Sequence, residues 1–87
     1  MKEFTFLLSS PDGELFRGDI VCLSLRGTEG SLAIMAGHIP FLTAVVPCDC
    51  TITLPDDTEK VAQLDGGLLT VTGTEATLLS SGVKWKE

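Results

Sequence analysis

The sequence predicts an all-β domain, a small flattened antiparallel sandwich or barrel of about ten short strands. No stretch longer than ten residues is free of both Gly and Pro. That leaves little room for helices, which average about 11 to 12 residues. Apolar and polar residues instead alternate with period two in several short segments. Turn signals separate these segments at short intervals, which is typical of antiparallel sandwiches and barrels.

The first half of the chain holds four clear strand candidates. Apolar residues at every second position of 4–8 and of 21–25 predict two half-buried strands. The apolar run 32–35 predicts a short buried strand, and 41–46 predicts another. Between them, 37–40 predicts a tight turn, because Gly permits a positive φ and Pro fixes its own.

The second half repeats the alternation. Apolar residues alternate with threonine around 52–54, 69–71 and 76–78, and each segment predicts one more strand. The turn signals between all these strands lie at 11–13, 27–30, 37–40, 55–57, 65–67 and 73. No linker, internal repeat or low-complexity tract interrupts the pattern, so residues 1–87 are predicted to form a single domain.

Charge excludes several classes of partner. The chain has a net charge of -6 and only six basic residues. Nucleic-acid binding needs clustered Lys and Arg, and an acidic protein is repelled by anionic lipid headgroups. No apolar run approaches the roughly 18 to 20 residues that span a bilayer, and the first residues do not resemble a signal peptide. We therefore expect a cytoplasmic protein that reaches a membrane only through a protein partner.

Catalytic and metal sites are not predicted. Cys22, Cys48 and Cys50 form an odd set without the paired spacing of a zinc site. His38 is the only histidine, and no nucleophile motif stands near it. The Gly-rich segments lack the lysine and following helix of a phosphate-binding loop. We predict no catalytic residue, no metal and no cofactor; a hydrolase using His38 is the weakest alternative.

The segment 30–44 is the most informative for function, since it joins two apolar strands through a turn that contains His38. Such a corner commonly serves the fold alone. The residues by themselves indicate a small acidic β domain that works by binding another protein. An alternative function is a stand-alone module that binds a small ligand in the open end of the sandwich, with 37–43 lining the pocket.

Four motifs in register, together with Gly18, give a more specific indication, because they resemble the epsilon subunit of F-type ATP synthases over nearly the whole chain. They are SPDGE at 10–14, Gly18, GTEG at 27–30, GHIPFLTA at 37–44 and DGGLLTV at 65–71.

The resemblance implies a ten-stranded flattened sandwich and a noncatalytic role in the central stalk. Such a domain binds the gamma subunit with one surface and the membrane rotor ring with another, and couples ion flow to ATP synthesis or hydrolysis. It would be cytoplasmic and peripheral on the inner membrane as part of the synthase. The partner-binding residues that the match implies are Glu29, Gly30, Ser31, Gly37, His38, Pro40, Leu42 and Thr43.

Departures from the family pattern fall in the same region. Ser31 stands where the rotor-ring loop usually has a second acidic residue, and Arg26 stands where proline often precedes Gly27. His38 has two open interpretations, an interface residue or a group that hydrogen-bonds a neighbouring loop. The sequence stops where the family continues into a helical hairpin, so we carry over neither inhibition of hydrolysis nor ATP binding.

Overall fold

A computed structural model describes residues 2–37 and 39–86 of the chain. The described residues contain strands and no helix, which confirms the predicted all-β class. The ten strands are β1 (Phe4–Ser10), β2 (Gly13–Ile20), β3 (Cys22–Gly27), β4 (Gly30–Met35), β5 (Phe41–Val45), β6 (Cys48–Thr53), β7 (Glu59–Leu64), β8 (Gly67–Val71), β9 (Glu75–Leu79) and β10 (Val83–Lys86).

Alternation and short apolar runs together identified seven of these strands and missed three. Every predicted segment lies within or overlaps a strand, from β1 through β9. The three missed strands are β2, β7 and β10. Strands β2 and β10 lie at the two ends of the sheet and have mostly exposed or half-buried residues. An edge strand with one partner needs few apolar residues, so its period-two signal is weak.

The strands follow the order β10-β7-β6-β3-β5-β8-β9-β1-β2, with β4 on the other side of β3. The ladder between β3 and β5 is the single pair Gly27 and Val45. The sheet therefore divides there into two halves of five strands. We call β4-β3-β6-β7-β10 the β3 half and β5-β8-β9-β1-β2 the β8 half.

One ladder adds a detail that the antiparallel pattern did not predict. All strand pairs are antiparallel except β1 with β9, which run parallel from Thr5 opposite Glu75 to Ser9 opposite Leu79. Hairpins force their strands to be antiparallel. Strands β1 and β9 lie near opposite ends of the chain and are joined by no hairpin, so their direction is set by the surrounding sheet.

Both halves contribute side chains to one hydrophobic core. In the β8 half, Phe6, Leu69 and Leu78 are completely buried; in the β3 half, Leu23 and Ile52 are. Their sequence neighbours point outward, as period-two alternation requires. The exposed residues of each strand therefore form two outer faces, one on each half.

Ser80 is the buried polar residue of the described core. Its hydroxyl donates to the carbonyl of Gly66 at 2.5 Å and lies 3.0 Å from the carbonyl of Gly82. The amide of Asp65 donates to the same Gly82 carbonyl at 3.0 Å. These contacts join the turn before β8 to the turn before β10, which gives the DGG motif a structural role.

Candidate functional site

The hairpin of β3 and β4 carries the residues that the resemblance assigns to the rotor-ring loop. Its register runs without interruption from Cys22 opposite Met35 to Gly27 opposite Gly30. The tip is held against β5, because the amide of Thr28 donates to the Ala44 carbonyl at 3.2 Å. The tip is therefore fixed to the β8 half at the junction of the two halves.

An open cleft of about 380 Å³ lies between this tip and β5. It brings together four of the eight predicted site residues, which are Glu29, Gly30, Leu42 and Thr43. We call this site the hairpin cleft; its remaining wall comes from Gly27, Leu32 and Phe41. Leu32 and Phe41 provide apolar surface, and Glu29 places a carboxylate at the rim.

Ser31 lies apart from the cleft, although it follows Gly30 directly. It is exposed on the outer face of the β3 half, where it is the cross-strand partner of Arg26. Both residues line a trough of about 730 Å³, the Arg26 trough, whose other polar groups include Ser24, Asp49 and Thr51. The predicted rotor-ring loop thus divides between two sides of the hairpin.

The connection from β4 to β5 contains the remaining predicted residues. Gly37 has a φ of +85°, a conformation that glycine adopts without steric cost, as expected for this turn. Pro40 is exposed, and its neighbour Ile39 is 80% exposed. His38 lies outside the described residues, so both interpretations of its role stay predictions.

Sequence reasoning did not identify an apolar surface on the outer face of the β8 half. Leu42, Leu68 and Leu79 are 63%, 44% and 52% exposed. Leu68 pairs with Ala44 on one side and with Leu79 on the other, so these residues form one row across β5, β8 and β9. Leu42 is two residues from Ala44 and extends the row to the cleft. We call these four residues the leucine face.

A signal for the leucine face is present in the sequence. Leu68 and Leu69 are consecutive in one strand, and Leu78 and Leu79 are consecutive in the next. Successive strand residues point to opposite faces, so one leucine of each pair must point away from the core. Breaks in the alternation thus mark the outward leucines.

The buried thiol of Cys50 is not a reactive group. Burial, with a smaller contribution from nearby Cys48, raises the pKa of the Cys50 thiol to about 12. The thiolate is the nucleophile and metal ligand, so this thiol is inert at neutral pH. Across residues 2–37 and 39–86, no three His, Cys, Asp or Glu side chains are grouped so that they could hold a metal ion.

No helix among the described residues is long and apolar enough to cross a membrane. Glu29 is exposed, and in the described part of the chain it forms no ion pair. The site therefore consists of an apolar cleft with a free carboxylate, an adjoining face of leucines and a separate polar trough. An exposed apolar surface of this kind is typical of a contact site for another macromolecule.

Comparison with solved structures shows the same fold. The chain superposes on a chain of the Euglena gracilis mitochondrial ATP synthase, OSCP/F1/c-ring, with a TM-score of 0.90 and 15% identity, over 95% of its own length and 53% of that chain. It also matches the central stalk/c-ring structure of the Tetrahymena thermophila enzyme, with a TM-score of 0.76, 13% identity and coverage of 94% and 66%. It thus spans about half of the first and two thirds of the second.

Comparison by sequence gives the family. An ATP synthase epsilon chain from Wolbachia pipientis wMel is 32% identical over 84 residues, which are 97% of this chain and 74% of that protein. The family model described as the β-sandwich domain of the ATP synthase delta/epsilon chain matches residues 3–86. The chain therefore belongs to the ATP synthase delta/epsilon family and corresponds to the amino-terminal β-sandwich domain of an F-type epsilon subunit.

Proposed function

We propose that this domain is a noncatalytic component of the central stalk of an F-type ATP synthase. It binds the gamma subunit through the leucine face and the membrane rotor ring through the tip of the β3–β4 hairpin. In this way it couples ion flow to ATP synthesis or hydrolysis. It lies on the cytoplasmic side of the inner membrane and is peripheral, held there by the other subunits.

The leucine face is the observation that carries the proposal. Leu42, Leu68 and Leu79 are each more than two-fifths exposed. Leu68 is paired directly with Leu79, and Leu42 lies diagonally across from Leu68 on the neighbouring strand. Contiguous apolar surface on a folded domain marks an interaction site, whereas scattered exposed leucines are ordinary. A protein subunit can cover such a sheet face, and the gamma subunit is the stalk partner that the family resemblance implies.

The hairpin tip presents different chemistry. Glu29 lies at the rim of the hairpin cleft, with Leu32 and Phe41 in its apolar wall. This arrangement suits a loop that carries a basic side chain beside an apolar one. We propose the polar loops of the rotor ring as this binding partner. Leu42 is the residue shared by the hairpin cleft and the leucine face.

A stiff domain is needed to transmit force between these two surfaces. The core is one continuous cluster that includes buried side chains from both halves of the sheet. Close-packed interiors have low compressibility and transmit strain. The two binding surfaces are thus held in a fixed relation by the packing between them.

Binding to purified gamma subunit tests the proposal. Wild-type protein should form a complex on size exclusion and give a measurable Kd by calorimetry. Leu79→Asp should weaken binding by about tenfold or more, because it places a charge in an apolar contact. Met35→Asp is the matched control, since Met35 is 57% exposed on the outer face of the other half.

Three results would contradict this assignment: no complex with wild-type protein, equal binding by the Leu79→Asp variant, or equal weakening by both variants. Thermal melts of both variants should match wild type, since both side chains are exposed. The small-ligand alternative receives less support from the structure. Among the described residues lining the hairpin cleft, Glu29 is the one ionisable group, whereas ligand pockets combine several convergent polar groups.

A further inference from the structure

We infer that the Arg26 trough is a second contact site on the outer side of the hairpin, and that it binds a carboxylate side chain on the polar loops of the rotor ring. This inference rests on the proposed function. It extends that function because it requires two charged groups on the polar loops of the ring. A basic group must face Glu29, and an acidic group must face Arg26.

The position of Arg26 supports this contact. It lies one residue before Gly27, where β3 ends, and its side chain points outward because Leu25 and Gly27 are buried. Ser31 is its cross-strand partner, so a hydroxyl lies beside the guanidinium on the same face. The trough therefore lies beside the hairpin tip, and Leu32 lines both the trough and the hairpin cleft.

Arg26 is also a cation without a partner. Within residues 2–37 and 39–86 its guanidinium forms no ion pair and no hydrogen bond. Three of the five other cations are engaged: Arg17 lies 2.9 Å from Glu14, Lys86 lies 2.9 Å from Asp49, and Lys60 stands 5.6 Å from the centre of the Trp85 ring.

The charge balance of the trough favours an anionic group. Asp49 is the acidic residue in its lining, and this carboxylate is already bound by Lys86. Arg26 thus leaves the trough locally positive on a chain whose net charge is -6. The hydroxyls of Ser24 and Thr51 line the same trough and can donate further hydrogen bonds.

The geometry of the guanidinium selects among anions. Its planar fork of N–H donors matches the two oxygens of a carboxylate, and such pairs are stronger than neutral hydrogen bonds. The trough of about 730 Å³ has space for a short loop that carries this carboxylate. A lipid headgroup is a poorer occupant, because the acidic chain as a whole is repelled by an anionic bilayer.

Binding to the purified rotor ring in detergent micelles tests the inference. Arg26→Glu should weaken binding by about tenfold or more. Arg26→Lys should fall between that variant and wild type, since it keeps the charge and loses the bidentate geometry. Lys84→Glu is the matched control and should leave the Kd unchanged. Lys84 is exposed on the same sheet face, without an ion pair in the described residues, but on β10.

The charge pattern provides a second measurement. Changing one acidic residue of the ring's polar loop to lysine should weaken wild-type binding and restore binding of the Arg26→Glu variant. Wild-type binding to the ring should also fall with rising salt more steeply than binding of Arg26→Glu.

Each other outcome has a definite meaning. If wild-type protein does not bind the ring, both the proposed function and this inference fail. If wild type binds and Arg26→Glu binds equally well, or if Lys84→Glu weakens binding as much, only the inference fails. Arg26-dependent binding to phosphatidylglycerol vesicles without the ring would assign the trough to a headgroup and overturn it.

Discussion

Replacing Gly67 with alanine should destabilise the domain strongly, because β8 and β9 approach each other closely there. A Cβ at this position would overlap the carbonyl oxygen of Leu79 and would lie 3.0 Å from Cα of Ser80. Carbon atoms in contact normally lie about 3.5 to 4.0 Å apart. Both obstacles are backbone atoms, so no side-chain rotation can relieve the overlap.

Relief requires a movement of about 0.5 to 1 Å between two paired strands. Forcing extra volume into packed structure costs about 1 to 3 kcal/mol. A domain of 87 residues has a total stability of roughly 4 to 13 kcal/mol. For a domain of this size 1 kcal/mol shifts Tm by about 4 to 8 °C. We expect the Gly67→Ala variant to melt roughly 4 to 24 °C below wild type.

Gly73→Ala is the matched control. Gly73 lies in the connection between the same two strands, and a Cβ there meets no atom within 4 Å. Alanine should be neutral or stabilise by about 0.4 to 1 kcal/mol through the unfolded state. Circular dichroism melts and urea unfolding of the three proteins provide the measurement. A Gly67→Ala variant melting within about 2 °C of wild type would refute the close approach.

Two further predictions concern buried groups. Burial raises the pKa of the Cys50 thiol to about 12, so as the pH rises the unfolded state loses this proton before the folded state does. The free energy of unfolding should therefore fall above about pH 8.5, by up to about 1.4 kcal/mol per pH unit. Urea unfolding from pH 7 to 10 should show this decline, and Cys50→Ala should flatten it. Ser80→Ala should cost about 1 to 3 kcal/mol by leaving the Gly66 carbonyl without its hydroxyl donor. A variant as stable as wild type would contradict that role.

Much of the fold could be predicted from the sequence because one face of each core strand packs on the hydrophobic core and the other faces solvent. Phe4, Phe6 and Leu8 alternate with less buried residues in β1, and all three are buried. The period-two signal is strong wherever one side of a strand packs on the core. It is weak in β2, where most residues are exposed and stability comes from pairing with β1.

The site was predictable only in part. Glu29 and Gly30 are adjacent to Leu42 and Thr43 in the hairpin cleft, as a shared binding role would require, though that role remains a prediction. Ser31 belongs to the other side of the hairpin, because its position in β4 directs it away from the sandwich. A sequence gives the order of residues along a loop, but the side each one occupies depends on strand register.

The parallel ladder of β1 and β9 has a consequence for how the protein is made. Thr5 pairs with Glu75, about seventy residues later in the chain. At roughly 5 to 20 residues per second, the ribosome needs about 4 to 14 s to synthesise that interval. During this time β1 can form its hairpin with β2 and pack on strands of the β3 half, but its other edge lacks the partner strand β9. The β1–β2 hairpin thus keeps a row of unpaired backbone groups along one edge until the ninth of the ten strands has been synthesised.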